Sequence, residues 1–108
     1  MIEPIGSVSV DVVPQAIVAL PVGEIVAGEL SSGSDDLDYF EGASFRLDNR
    51  IEIAVRHYRG HPENTSTIYI DRRESNVEQI TWLIRRILEE FRVPLEALRW
   101  ERRNDPDL

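Results

Sequence analysis

The chain contains no cysteine and no lysine, and only two histidines, His57 and His61. Without cysteine there are no disulfide staples, thiolate metal sites or cysteine nucleophiles. Two histidines are too few for a histidine-rich metal centre. The six glycines stand apart, so no Gly-rich phosphate loop exists, and neither a GxSxG elbow nor an HExxH helix is present. Long apolar runs are missing too. The longest uncharged stretch near the beginning, residues 12–23, contains Gln15 and two prolines, whereas a membrane-spanning helix needs about 20 apolar residues. No basic residue precedes that stretch, so it does not read as a secretory leader. The expectation is a soluble, cytoplasmic domain with no membrane partner. Asn64-Thr65-Ser66 is then a chance match to the glycosylation pattern.

Basic residues are absent from the first 45 positions, which carry eight carboxylates; residues 46–108 carry twelve of each sign. The whole net charge of −8 therefore arises in the first part of the chain. Such a surface repels phosphates, so nucleic acid is excluded as a general partner. Either the acidic part contacts a partner, or it packs among the arginines of the remainder. All twelve basic residues are arginine. The plainer expectation is codon usage in a GC-rich genome; the other is that arginine suits bidentate networks with carboxylates.

At 108 residues, 42% apolar and 30% charged, the composition is that of one globular domain spanning 1–108. Residues 7–12 alternate polar and apolar as a half-buried strand does, and Pro14 is expected to stop it. Short apolar runs at 16–20 and 24–29 read as further strands, with Pro21 and Gly23 turning between them. Residues 31–34, Ser-Ser-Gly-Ser, read as a loop. Ser34 then caps a short acidic helix over 35–41, with Asp35 and Asp36 at its positive end and Leu37 and Phe40 inward.

The stronger signals follow. Phe45 and Leu47 alternate with Arg46; Ile51, Ile53 and Val55 alternate with Glu52, Ala54 and Arg56. Keeping Leu47 and Ile51 on one face requires a three-residue connection, Asp48 to Arg50, with Asn49 or a neighbour left-handed. The second strand runs to Tyr58, a loop covers 59–65, and a strand covers 66–71. Ser75 and Glu78 form a capping box opening a helix over 76–92. Val77, Ile80, Leu83, Ile84, Ile87, Leu88 and Phe91 fall on one side of it. Pro94 ends it, Leu98 and Trp100 alternate in a last strand, and a polar tail follows. The fold class expected is α+β: an antiparallel, or mixed, sheet with this helix packed on one face, plus the short acidic helix. The strands at 66–71 and 98–102, joined through the helix, are expected to run parallel if they share a sheet.

Two features stand out from this scaffold. Trp82 lies on the polar side of the helix among Glu78, Arg85, Arg86 and Glu89. A large aromatic there is expected to be buried against a second subunit, the chain's own first segment or a ligand, most simply at a protein–protein contact with those four residues as a polar rim, or else stacked under Arg85 or Arg86. The outer sheet face would carry Arg46, Glu52, Arg56, Tyr58, Tyr69 and Arg99. If Tyr58 pairs with Thr67, Arg56 lies opposite Tyr69. Arginines and tyrosines on an open sheet point to an interface or a polar-ligand platform, unless the first strands cover it. His57, His61 and Glu63 flank one turn, but His57 is in phase with Ile51, Ile53 and Val55. It reads as a rim histidine bonded to backbone, with no metal assigned. The run 35–41 lacks the spacing of a calcium loop.

Two functional expectations follow. The first is a protein-interaction module of bacterial type, adaptor-, antitoxin- or immunity-like, acting as a homodimer through Trp82, with no cofactor and no catalytic residues. The second is a small-molecule-binding domain or minor enzyme with a pocket between the sheet and the first segment, near Arg56, His57, Tyr58 and Tyr69.

Overall fold

The computed structural model describes residues 1–34, 38–74 and 76–102. In chain order the elements are β1 (Ile2–Ile5), β2 (Val12–Val18), α1 (Val22–Ile25), β3 (Ser31–Ser34), β4 (Tyr39–Leu47), β5 (Ile51–Tyr58), β6 (Ser66–Asp71), α2 (Val77–Glu90), a single 3₁₀ turn (Leu95–Ala97) and β7 (Leu98–Glu101). The fold is mixed α+β, dominated by one seven-stranded sheet of order β1-β4-β5-β6-β2-β7, with β3 also paired to β4. Every pairing is antiparallel. Since β6 and β7 are each antiparallel to β2, they run parallel to one another with β2 between them. No helix among the described residues is long and apolar enough to cross a membrane.

The central hairpin forms as its alternation dictates. Leu47 pairs with Ile51. Asp48 and Asn49 between them both take positive φ, 53° and 58°, the conformation that short polar side chains tolerate best. Ile51, Ile53 and Val55 then share an apolar cluster with Ile68 and Ile70 of β6, Ala16 and Val18 of β2, and Ile80, Leu83, Ile84, Ile87 and Leu88 of α2. Ile53, Ile70, Ile80, Ile84 and Ile87 are fully inaccessible. Each such side chain contributes about 1.5–3 kcal/mol by leaving water.

The helix departs from expectation at its start. Its N-cap is Asn76, whose Oδ1 accepts from the backbone N–H of Glu78 at 3.0 Å and of Gln79 at 3.4 Å. Ser75, expected as the cap, lies outside the described residues. At its end Val93 N–H bonds Leu88 O and Arg92 N–H bonds Glu89 O, a Schellman closure. Arg92 supplies the left-handed residue at φ 56°, where glycine is the usual choice.

The first third of the chain differs most from its expectation. Residues 7–10 do not form a strand; β2 begins at Val12 and passes through Pro14. Pro14 is accommodated because β7 pairs only with Ala16–Val18 of β2, so Pro14 sits where β2 has one neighbour, beside a register shift. The run 24–29 is not a strand either. Val22–Ile25 make one helical turn behind Pro21, with Val22 and Ile25 buried three residues apart. Residues 31–34, expected as a loop, form β3 on the edge of β4. The acidic helix expected over 35–41 is not formed in its described part. Residues 35–37 lie outside the described residues, and Tyr39–Glu41 belong to β4. Asp38 instead accepts from the Tyr39 and Gly60 N–H groups at 2.8 and 2.7 Å, tying the start of β4 to the β5–β6 loop.

Candidate functional site

On the sheet face away from the aliphatic cluster, β5 presents Glu52, Ala54, Arg56 and Tyr58 in turn. Ala54, Tyr58 and Tyr69 form a second buried cluster, with Val8, Val12 and Phe40 packed against it. The chain between β1 and β2 thus lies over this face. It is anchored there by Ser9, whose N–H and hydroxyl each donate to the Glu52 carboxylate at 2.7 Å. Those two bonds hold the inaccessible Glu52 carboxyl below the usual glutamate value.

Arg56 stands at the middle of this face. Its register partners are Gly42 on β4 and Thr67 on β6, and Ala54 is the residue opposite Tyr69. The expected Tyr58–Thr67 pairing is therefore displaced by two residues. The guanidinium nevertheless reaches the diagonal Tyr69, its carbon lying 5.2 Å from that ring centre and 4.5 Å from that of Phe40. Arg56 Nη1 donates to Tyr58 Oη at 3.4 Å. Phe40 and Tyr58 pack with ring centres 5.1 Å apart. Glycine is required opposite the arginine: a Cβ on Gly42 would lie 2.2 Å from Val55 O and 2.9 Å from Arg56 Cγ.

Beside Arg56 the edge of β4 is divided. β1 pairs with it up to Ser44 and β3 takes over at Gly42, leaving Ala43 between them. At this gap residues 6–8 turn onto the outer face, while residues 25–28 arrive from the side of the aliphatic cluster. The space between is a cavity of about 960 Å³. Ile5, Val8, Ile25, Val26, Phe45 and Phe91 give it apolar walls, and Arg56 is among its lining residues. Such a volume suits a small organic ligand.

No protein-family model, curated protein or solved structure matches this chain. The geometry alone therefore carries the functional reading.

The expected ligand residues are only partly brought together. Arg56, Tyr58 and Tyr69 form one cluster, with Arg56 lining the cavity. His57 projects from the other side of β5. It pairs with Glu41, and its Nε2 lies 3.2 Å from Pro62 O. With Tyr39, Glu41, Arg59, His61 and Glu63 it lines a second hollow of about 760 Å³, which shares Ser32 and Phe40 with the first. No group of three metal-ligating side chains occurs among the described residues.

The residues expected around Trp82 behave differently from a free rim. Arg85 forms a bidentate pair with Glu101 of β7 at 2.7 and 3.1 Å, which raises the arginine further. Arg86 pairs with Asp48 of the β4–β5 turn at 2.5 and 2.7 Å. With help from the Met1 amino group, this holds the Asp48 carboxyl at about 2, from 3.8. Both arginines thus brace α2 against the sheet. The Arg86 guanidinium also lies 5.6 Å from the Trp82 ring centre, although Trp82 remains 57% exposed. Glu78 and Glu89 are exposed on the same helix.

Phe40, Gly42, Val8 and Ile5 were not anticipated as site residues. The one available signal was the in-phase spacing of Phe40, Gly42 and Ser44, obscured by the acidic run before them. Among the described residues the arginine partners are chiefly Asp48, Glu52, Asp71, Glu74, Glu90 and Glu101. From the first 45 residues, Asp11 approaches Arg72 at 3.9 Å.

Proposed function

We propose that this chain is a small-molecule-binding domain whose ligand occupies the cavity at the divided edge of β4. In this reading α2 covers the aliphatic face of the sheet and supplies rigidity, which leaves the other face and its edge for recognition. The observation that carries it is the cavity of about 960 Å³, walled by apolar side chains from four separate segments. A fold with no use for the space would close it, because apolar surface left facing water forgoes about 25 cal/mol per Å². The absence of cysteine fits a reducing, cytoplasmic setting. The test is fluorescence titration with N-phenyl-1-naphthylamine, a neutral apolar dye. One dye per chain is expected, and binding is lost in Ala43→Trp, which fills the gap, with circular dichroism unchanged. A wild type that binds neither this dye nor its sulfonated, anionic analogue overturns the reading.

A second reading is favoured by Trp82, an indole 57% exposed on α2. We propose that this face pairs two copies of the chain as a protein-interaction module. The Arg86 guanidinium already lies 5.6 Å from the ring centre, so a partner would meet an aromatic–arginine surface with Glu78 and Glu89 beside it. Sedimentation at micromolar concentration tests this. A dimer that Trp82→Ala converts to monomer supports it, and a monomeric wild type overturns it.

A further inference from the structure

We propose that the ligand is an amphipathic organic anion whose oxyanion head is held by Arg56 while its apolar part fills the cavity. This rests on the cavity reading above and adds the chemical class of the ligand. Arg56 differs from the other arginines in what satisfies it. Arg46, Arg85 and Arg86, the other three partly shielded from solvent, each pair with a carboxylate. Among the described residues Arg56 has no carboxylate partner, and its one hydrogen bond is the 3.4 Å contact to Tyr58 Oη. A guanidinium carries five N–H donors in one plane. The Phe40 and Tyr69 rings, at 4.5 and 5.2 Å, address its charge and not those donors. A half-buried guanidinium whose other in-plane donors meet no described side chain is a fork suited to a carboxylate-like head.

The surroundings fix both the position and the polarity. Gly42 removes the side chain that would collide with the Arg56 stem, so the arginine lies against β4 at the edge of the cavity. The carboxylates lining the same cavity are Glu29 and Glu90. Both belong to segments reaching it from the α2 side, and Glu90 is engaged with the Met1 amine at 3.3 Å and Arg86 at 3.8 Å. Arg92 lines the cavity on that same side and partly offsets them, whereas no described carboxylate lines it at the Arg56 end, so the anionic head is assigned to Arg56. The apolar stretch between them, Ile5, Val8, Val26 and Phe45, selects a hydrocarbon or aromatic body.

Two dyes of one skeleton separate the claims. 1-Anilinonaphthalene-8-sulfonate is anionic and N-phenyl-1-naphthylamine is neutral. Wild type is expected to bind the anionic dye about tenfold or more tightly than the neutral one, at one per chain. Arg56→Gln is expected to weaken the anionic dye by about ten- to a hundredfold, the usual worth of a charge-assisted hydrogen bond, and to leave the neutral dye unchanged. Arg56→Lys, keeping the charge without the fork, is expected to fall between. Octanoate is expected to displace the anionic dye where octanol does not. If neither dye binds, the cavity reading itself fails. If both bind equally and Arg56→Gln changes neither, the cavity stands and the anion assignment is overturned. Circular dichroism of each variant confirms that the fold is retained.

Discussion

The two faces of the sheet are made by the same strands and are built on opposite principles. On one face Ile51, Ile53, Val55, Ile68 and Ile70 belong to one apolar cluster with the aliphatic residues of α2, and nothing polar is asked of them. On the other, Ala54, Tyr58 and Tyr69 meet Phe40, Val8 and Val12, with Arg56 and Glu52 standing among them. Branched aliphatics interlock in few ways and resist change. Aromatic rings and a guanidinium offer faces and donors that a ligand can use. One face therefore stabilises the domain, and the other, bounded by a divided edge, is where binding is proposed.

The sharpest way to break that comparison is Ile84→Ala. Ile84 is fully buried in the aliphatic cluster, so a loss of about 2–5 kcal/mol is expected in denaturant titration. A loss under about 0.5 kcal/mol would deny that face its stabilising role. On the other face, Gly42→Ala forces a methyl against Val55 O. A loss of about 1–3 kcal/mol is expected from overpacking, together with displacement of Arg56 and weaker binding of the anionic dye. Smaller and opposite in sign is Arg92→Gly. It relieves a left-handed arginine at φ 56° and is expected to raise stability by about 1 kcal/mol, read as a shift in the urea midpoint.

The smallest effect is expected from pH. Asp48 is held at about 2 from 3.8 by Arg86 and then by the Met1 amine. Glu52 is lowered from 4.5 by Ser9, and Asp71 from 3.8 by Arg73. A carboxylate lowered on folding contributes stability above its unfolded value and loses it as pH falls through the folded one. Stability is therefore expected to be level from neutrality to about pH 5 and to decline from there toward pH 2. Asp48→Asn should flatten the part of that decline lying below pH 4. An unchanged slope would show that the Arg86–Asp48 brace adds nothing to the α2–sheet contact.

How far these features could be read beforehand depends on what holds each segment. From Phe45 onward the strands carry their own alternation of branched residues, and α2 carries a stripe and a terminating Pro94. Their bounds came out close to expectation, as did the left-handed turn at Asp48 and Asn49. The earlier segments are held by others. β3 is Ser-Ser-Gly-Ser, with no apolar period, and becomes a strand because β4 offers an edge and Gly33 fits under the Phe40 ring, where a Cβ would lie 2.6 Å from Cζ. Pro14 enters β2 because β7 is short. Arg56, Tyr58 and Tyr69 were visible as an unusual outer face. Phe40 and Gly42, which complete the site, were hidden by the acidic residues before them.

The divided edge of β4 also bears on how this sheet keeps to itself. A nine-residue strand such as β4, left bare, would offer a continuous ladder of amide and carbonyl groups to any extended chain in a crowded solution. Two four-residue strands, β1 and β3, cover it from either end and leave uncovered only the span at Ala43, too short to template another strand. The opposite border is β7, four residues long, continued by the start of β2, which Pro14 interrupts. The same interruption that opens the cavity thus leaves the sheet, among the described residues, with no unbroken border long enough to nucleate fibrillar stacking.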